Sequence, residues 1–191
     1  MDSEVIIVSG LPRSGTSLMM QMLHGGGIEV VTDNIRTADT DNPRGYFEFE
    51  RVKKIKEDKG WLPDARGKAV KMISQLLFDL PDTERYRVVF MQRDLMETLI
   101  SQEKMLERRN REAAPREDIE RAFVKHLDKL HAWLEAQPNF TVLYVKYADL
   151  VANPEQEARR INEFLGGQLD VRAMAAAVDP KLYRNRKGEG S

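Results

Sequence analysis

The stretch VIIVSGLPRSGTSLMM, residues 5–20, constrains the fold more than any other part of the chain. A β-branched run reaches Gly10, four residues separate Gly10 from Gly15, and Thr16 and Ser17 open an apolar helix. In such a strand–turn–helix, backbone N–H groups and the positive end of the helix converge on an anion. The nucleotide-binding version, G-x-x-x-x-G-K-[ST], places a lysine after the second glycine to reach the terminal phosphates. Here that place holds Thr16, and the only cation of the loop is Arg13. An anion site is therefore expected at residues 12–17. A nucleoside triphosphate fits it poorly, because the lysine that would bridge its phosphates is absent, as is a clean apolar strand ending in an aspartate for magnesium.

The rest of the chain alternates strand and helix signals, which predicts an α/β domain with a mainly parallel sheet and helices on both faces. Strands are expected at 5–8, 28–31, 68–73, 86–92 and 140–147. Helices are expected at about 15–24, 47–58, 94–109, 115–137, 154–165 and 172–178, with Asp94 as an N-cap and Pro154 in a first turn. On the 115–137 segment, Ile119, Ala122, Phe123, His126, Leu127, Leu130, Trp133 and Leu134 form one apolar stripe. Residues 32–46 lack periodicity and read as a functional loop. With no repeat or linker, residues 1–191 are expected to form one domain, with 180–191 a flexible basic tail.

A net charge of −1 argues against a dedicated nucleic-acid binder. The absence of cysteine removes disulfides, thiol nucleophiles and thiolate metal sites, and no ligand cluster suggests a metal. The N-terminus lacks signal-peptide character and no apolar run is long enough to span a bilayer, so a cytoplasmic location is the expectation.

Three further segments give the loop a context. VVFMQRDLMETLISQEKM (88–105) ends a strand at Arg93 and places Ser101 eight residues on, about two turns into the next helix. VLYVKYADLVANPEQEARRINEFLGG (142–167) is a strand followed by Y-x-D-L and a proline-started helix. The tail carries Arg186-Lys187-Gly188, with Arg184 nearby. Together with PRSGTS, these segments resemble the sulfotransferase family, whose fold is that of P-loop kinases and whose donor is 3′-phosphoadenosine 5′-phosphosulfate. The resemblance implies that Arg13, Ser14, Gly15, Thr16 and Ser17 hold the 5′-phosphosulfate, with Arg13 at the leaving oxygen. It implies that Arg93 and Ser101 bind the 3′-phosphate, that Tyr147 borders the adenine, and that Arg184 or Arg186 covers the 3′-phosphate. A metal is not implied, and the acceptor is a small-molecule or carbohydrate-type hydroxyl or amine.

The general base departs from the commonest family pattern. Cytosolic relatives have a histidine two residues beyond a strand lysine; GKAVKMIS (67–74) matches the lysine at Lys71 but has Ile73 at the histidine position. His24 reads as a helix-end cap, His126 as a core histidine and His131 as solvated. Other family branches use a glutamate after a loop ending in an aromatic. NPRGYFEFE (42–50) resembles that segment, which makes Glu48 the candidate base, Glu50 its fallback and Lys71 an assisting cation. Loop 33–46 and residues 61–66 are expected to border the acceptor. Two alternatives are a nucleotide-dependent kinase with a divergent phosphate loop and a catalytically inactive nucleotide-binding module.

Overall fold

The computed structural model describes residues 3–33, 35, 45–108, 110 and 114–179. Four strands form one parallel sheet: β1 (Glu4–Gly10), β2 (Ala69–Lys71), β3 (Arg85–Gln92) and β4 (Phe140–Lys146), in the order β2-β1-β3-β4. β1 and β3 are buried on both faces and so read as near-continuous apolar runs. All four strands end on the same side of the sheet, the side on which ligands of open α/β sheets bind.

Side-chain alternation splits β1 between two cores. Ile6 and Val8 face α1 (Thr16–Gly25), α4 (Tyr147–Ala152), α5 (Pro154–Phe164) and α6 (Val171–Ala176), where Met19, Met20, Leu23, Leu150, Ile161 and Met174 complete one cluster. Val5 and Ile7 face the opposite way, with Val88 and Phe90 of β3, three short 3-10 segments and α3 (Arg116–Glu135). α2 (Leu95–Arg108) follows β3 directly. The result is the three-layer α/β architecture that the alternating pattern predicts.

Several elements differ from expectation. Residues 28–31 form only a single parallel bridge, Val30 to Ala69, because β2 is three residues long and offers little ladder to pair with. The expected 47–58 helix is a 3-10 segment, Glu50–Lys54. Phe47 is left-handed with φ 50°, which breaks a helix there, and the Asp33 carboxylate accepts from the Glu50 N–H at 2.6 Å. On α3 only Leu130 and Leu134 are fully buried, Ile119 and Phe123 are half-buried and Ala122 is exposed. Periodicity marks the inward face of a helix without saying how much core lies beneath it. The six-residue α4, beginning at Tyr147, is not foreseen from the sequence.

Candidate functional site

β1 ends at Gly10, where a Cβ would sit 2.4 Å from Ser14 Oγ and 2.7 Å from the Met91 carbonyl oxygen. Only glycine lets the turn leave the strand so close to β3. The Ser14 N–H donates to the Leu11 carbonyl at 3.2 Å, closing the turn. Arg13 stands in the left-handed region with φ 69°, a conformation costing a non-glycine residue on the order of 1 kcal/mol. Two contacts from the β3–α2 side hold it there. The Arg93 Nη1–H donates to the Arg13 carbonyl at 3.3 Å, and the Arg13 Nε–H donates to Ser101 Oγ at 3.1 Å.

Gly15 caps α1 with φ 102°, and a Cβ there would meet Tyr147 Cδ2 at 2.4 Å. Among the described residues no side chain caps this helix, so the N–H groups of its first turn face the turn without a capping acceptor there. Ser14 Oγ is buried there and has no hydrogen-bond partner among the described residues. Thr16 and Ser17 flank the same opening, both half-buried.

The second strand–helix junction is built differently. Asp94 caps α2: its Oδ1 accepts from the Glu97 N–H at 3.1 Å, and its carbonyl accepts from Thr98 Oγ1 at 3.0 Å. Arg93, just ahead of that cap, lies with its Cζ 4.7 Å from the centroid of the Tyr147 ring and donates from Nε to Glu97 Oε2 at 3.1 Å. Burial holds the Tyr147 phenol above its ordinary pKa against the pull of Arg93 and Arg13, with Glu97 adding to the rise. The ring therefore stays neutral beneath the guanidinium.

The end of β2 supplies a third group. Lys71 Nζ donates to the Tyr46 carbonyl at 2.7 Å and to Ser17 Oγ at 3.2 Å, and lies 3.7 Å from Glu48 Oε1. Both side chains are mostly buried, Lys71 at 12% and Glu48 at 21% exposure, so this lysine is not a solvated strand-edge cation. The Glu48 carbonyl accepts from Thr32 Oγ1 and from the Asp33 N–H, anchoring the segment.

Thus Arg13 contacts Arg93 and Ser101, Gly15 packs on Tyr147, and Ser17 contacts Lys71, which reaches Glu48. Ser14 and Thr16 belong to the same turn. Arg184 and Arg186 lie outside the described residues, as does most of loop 33–46. Glu97 was not singled out in the sequence, although a carboxylate four residues after Arg93 on a helix is the signal that finds it. Ile73, at the position of the family's histidine, is 45% exposed.

The histidines take other roles. His24 is exposed at the end of α1, its ring 6.0 Å from Phe47. His126 Nε2 and Ser74 Oγ share a 2.9 Å hydrogen bond, which satisfies it in the core. His131 is not solvated as expected: its ring packs edge-on against Phe90 and Tyr144, and its Nε2 is buried. Residues 61–66 divide between the site's side and the far end of the sheet, with the Trp61 ring edge-on to Phe49 at 5.4 Å. Trp61, Leu62 and Ala65 are core residues, and Arg66 pairs with Glu84 beside the start of β1, the opposite end of the sheet. Among the described residues, no group of three or more acidic or imidazole side chains could hold a metal ion, and no helix is long and apolar enough to cross a membrane.

The sequence matches the profile of the Sulfotransferase family over residues 36–170, more than half of the chain. No curated protein sequence matches it. Among solved structures, the chain is similar to the sulfotransferase domain of the Synechococcus PCC 7002 olefin synthase, with a TM-score of 0.60 at 13% identity, covering 98% of this chain and 90% of that one. A sulfotransferase from Alicyclobacillus acidocaldarius matches with a TM-score of 0.54 at 16% identity, over 88% of this chain and 84% of that one. The sulfotransferase domain from the curacin biosynthetic pathway matches with a TM-score of 0.55 at 15% identity, over 94% and 89%. At these identities the structures speak for a shared fold, and the profile speaks for the family. The chain belongs to the sulfotransferase family, enzymes that transfer sulfuryl groups.

Proposed function

We propose that the protein transfers a sulfuryl group from 3′-phosphoadenosine 5′-phosphosulfate to a hydroxyl or amine of a small-molecule or carbohydrate-type acceptor. The observation that carries this reading is the 3.1 Å hydrogen bond from Arg13 to Ser101. It joins the uncapped β1–α1 turn, suited to a 5′-phosphosulfate, to the Arg93 and Ser101 pair, suited to a 3′-phosphate. A donor with anionic groups on both sides of one ribose matches that pairing, whereas ADP or ATP would leave Arg93 and Ser101 without a role.

In the transfer, a lone pair of the acceptor oxygen or nitrogen forms the new bond to sulfur. The bond from sulfur to the bridging phosphate oxygen breaks, and its electrons leave with that oxygen on adenosine 3′,5′-bisphosphate. Arg13 from the turn and Lys71 from β2 supply positive charge to the departing oxygen, and Ser14, Thr16, Ser17 and the α1 N-terminus hold the 5′-phosphate. The acceptor proton passes to Glu48, whose neighbours Tyr46, Phe47 and Phe49 limit its contact with water. Tyr147 flanks the nucleotide side of Arg93, and Arg184 and Arg186 are the tail cations assigned to the outer face of the 3′-phosphate.

The test is calorimetric titration with adenosine 3′,5′-bisphosphate and, separately, ADP. A preference for the bisphosphate that disappears in Arg93→Ala is expected. Equal affinity, or a preference for ADP with magnesium, would turn the assignment towards a kinase-like donor. Tight bisphosphate binding without transfer to any acceptor would leave an inactive nucleotide-binding module.

A further inference from the structure

The Arg93–Glu97 pair presents an electrostatic problem. Their side chains are only 8% and 6% exposed, and the carboxylate stands beside the cation assigned to a phosphate dianion. A buried negative charge there repels the ligand, so on charge alone the site would bind better without it. Its geometry offers a compensating role. The arginine fork has five N–H donors in one rigid plane, so engaging two of them fixes the direction of the rest. Glu97 takes the Nε–H at 3.1 Å, the Arg13 carbonyl takes an Nη1–H at 3.3 Å, and the Tyr147 ring supports the guanidinium at 4.7 Å. Glu97 is itself held at its backbone, where the Asp94 cap accepts its N–H.

We infer that Glu97 is a positioning residue that orients the Arg93 guanidinium for the 3′-phosphate, and that selection of a 3′-phosphorylated donor depends on the acceptor oxygen of this side chain, which acts through Arg93. The inference rests on the donor reading above and adds the source of its discrimination. A lysine at position 93 would supply the charge without the two-point hold, and a neutral acceptor at 97 would supply the hold without the repulsion. An ion pair that served only to stabilise α2 would affect all nucleotides alike, because every nucleotide would meet the same damaged fold.

The experiment is calorimetric titration of wild type, Glu97→Gln and Glu97→Met with adenosine 3′,5′-bisphosphate and with ADP. Thermal unfolding of each variant establishes that it is folded, and Met is chosen to fill the side-chain volume. Gln retains an oxygen that can accept from Nε, so Glu97→Gln is expected to bind the bisphosphate within about threefold of wild type or more tightly. Glu97→Met is expected to lose about tenfold or more in bisphosphate affinity, with ADP affinity unchanged in both variants. Wild-type bisphosphate affinity in Glu97→Met, equal losses in the Gln and Met variants, or parallel losses for both nucleotides would each overturn the inference. A wild-type protein with no preference for the bisphosphate over ADP would remove the donor reading itself, and the role of Glu97 with it.

Discussion

The two strand–helix junctions at the site have the same topology and opposite chemistry. After β1, the helix begins at a glycine with no side-chain cap, so the backbone faces the turn as a donor surface. After β3, Asp94 caps α2, and the polar groups offered are side chains: Arg93 ahead of the cap and Ser101 two turns beyond it. The presence or absence of one capping oxygen decides whether a helix end is itself an anion site or only a platform for one. An uncapped end binds by shape and tolerates little change in its glycines. A capped end depends on the side chains that surround it.

The sharpest way to break this contrast is Gly15→Ala. Alanine would have to adopt φ 102° with its Cβ 2.4 Å from the Tyr147 ring, so strain and overpacking together should remove about 3 kcal/mol or more of stability, read by urea unfolding. Next is Arg13→Ala, which takes the cation from the turn but leaves its backbone donors. Its kcat for sulfuryl transfer should fall about a hundredfold, with a much smaller change in adenosine 3′,5′-bisphosphate affinity. A comparable loss in both quantities would place Arg13 in ground-state binding instead. Asp94→Ala uncaps the second junction and should lower stability by about 1 kcal/mol in the same urea assay. No loss there would mean that the cap is dispensable.

The smallest effect concerns His126, away from both junctions. Burial lowers its pKa below the ordinary 6.5, with His131 and Lys129 adding to the shift, so the folded chain favours the neutral ring. Between its depressed folded value and about 6.5, the unfolded chain binds more protons, so stability is full above about 6.5 and declines as pH falls through that window. Replacing His126 with asparagine should flatten this part of the stability–pH profile. An unchanged profile would assign the decline to other groups.

The uncapped junction was largely legible in the sequence because its determinants are local. Gly10, Arg13 and Gly15 lie within one turn, and Arg93 and Ser101 lie within one strand–helix junction, eight residues apart. The partners across the site were less so: Arg13 meets Ser101 across 88 positions, and Lys71 meets the Tyr46 carbonyl across 25. Pattern also misjudged segments decided by distant groups. The stretch after Glu48 reads as a helix by composition, but the left-handed Phe47 and the Asp33 carboxylate start it late and tighten it to a 3-10 segment. His131 looked solvated because it lies off the centre of the stripe, yet Phe90 and Tyr144 of neighbouring strands reach it. The roles of Glu48 and Lys71 rest on resemblance, and their proximity adds a geometry in which the proposed chemistry can be tested.

The bond from Arg93 to the Arg13 carbonyl spans 80 positions, and it exists only when β3 lies beside β1 in register. Contacts of such sequence separation close long segments of chain, so the site is complete only when the β1–β3 pairing is in place. A partly folded chain would present neither junction correctly. Ligand that binds only the assembled site stabilises the fold by mass action, so bisphosphate at a hundred times its Kd should add about 2.7 kcal/mol to global unfolding. On the proposed donor reading, nucleotide occupancy is thus coupled to the integrity of the whole sheet, and loss of donor would lower resistance to unfolding far from the β1–α1 turn.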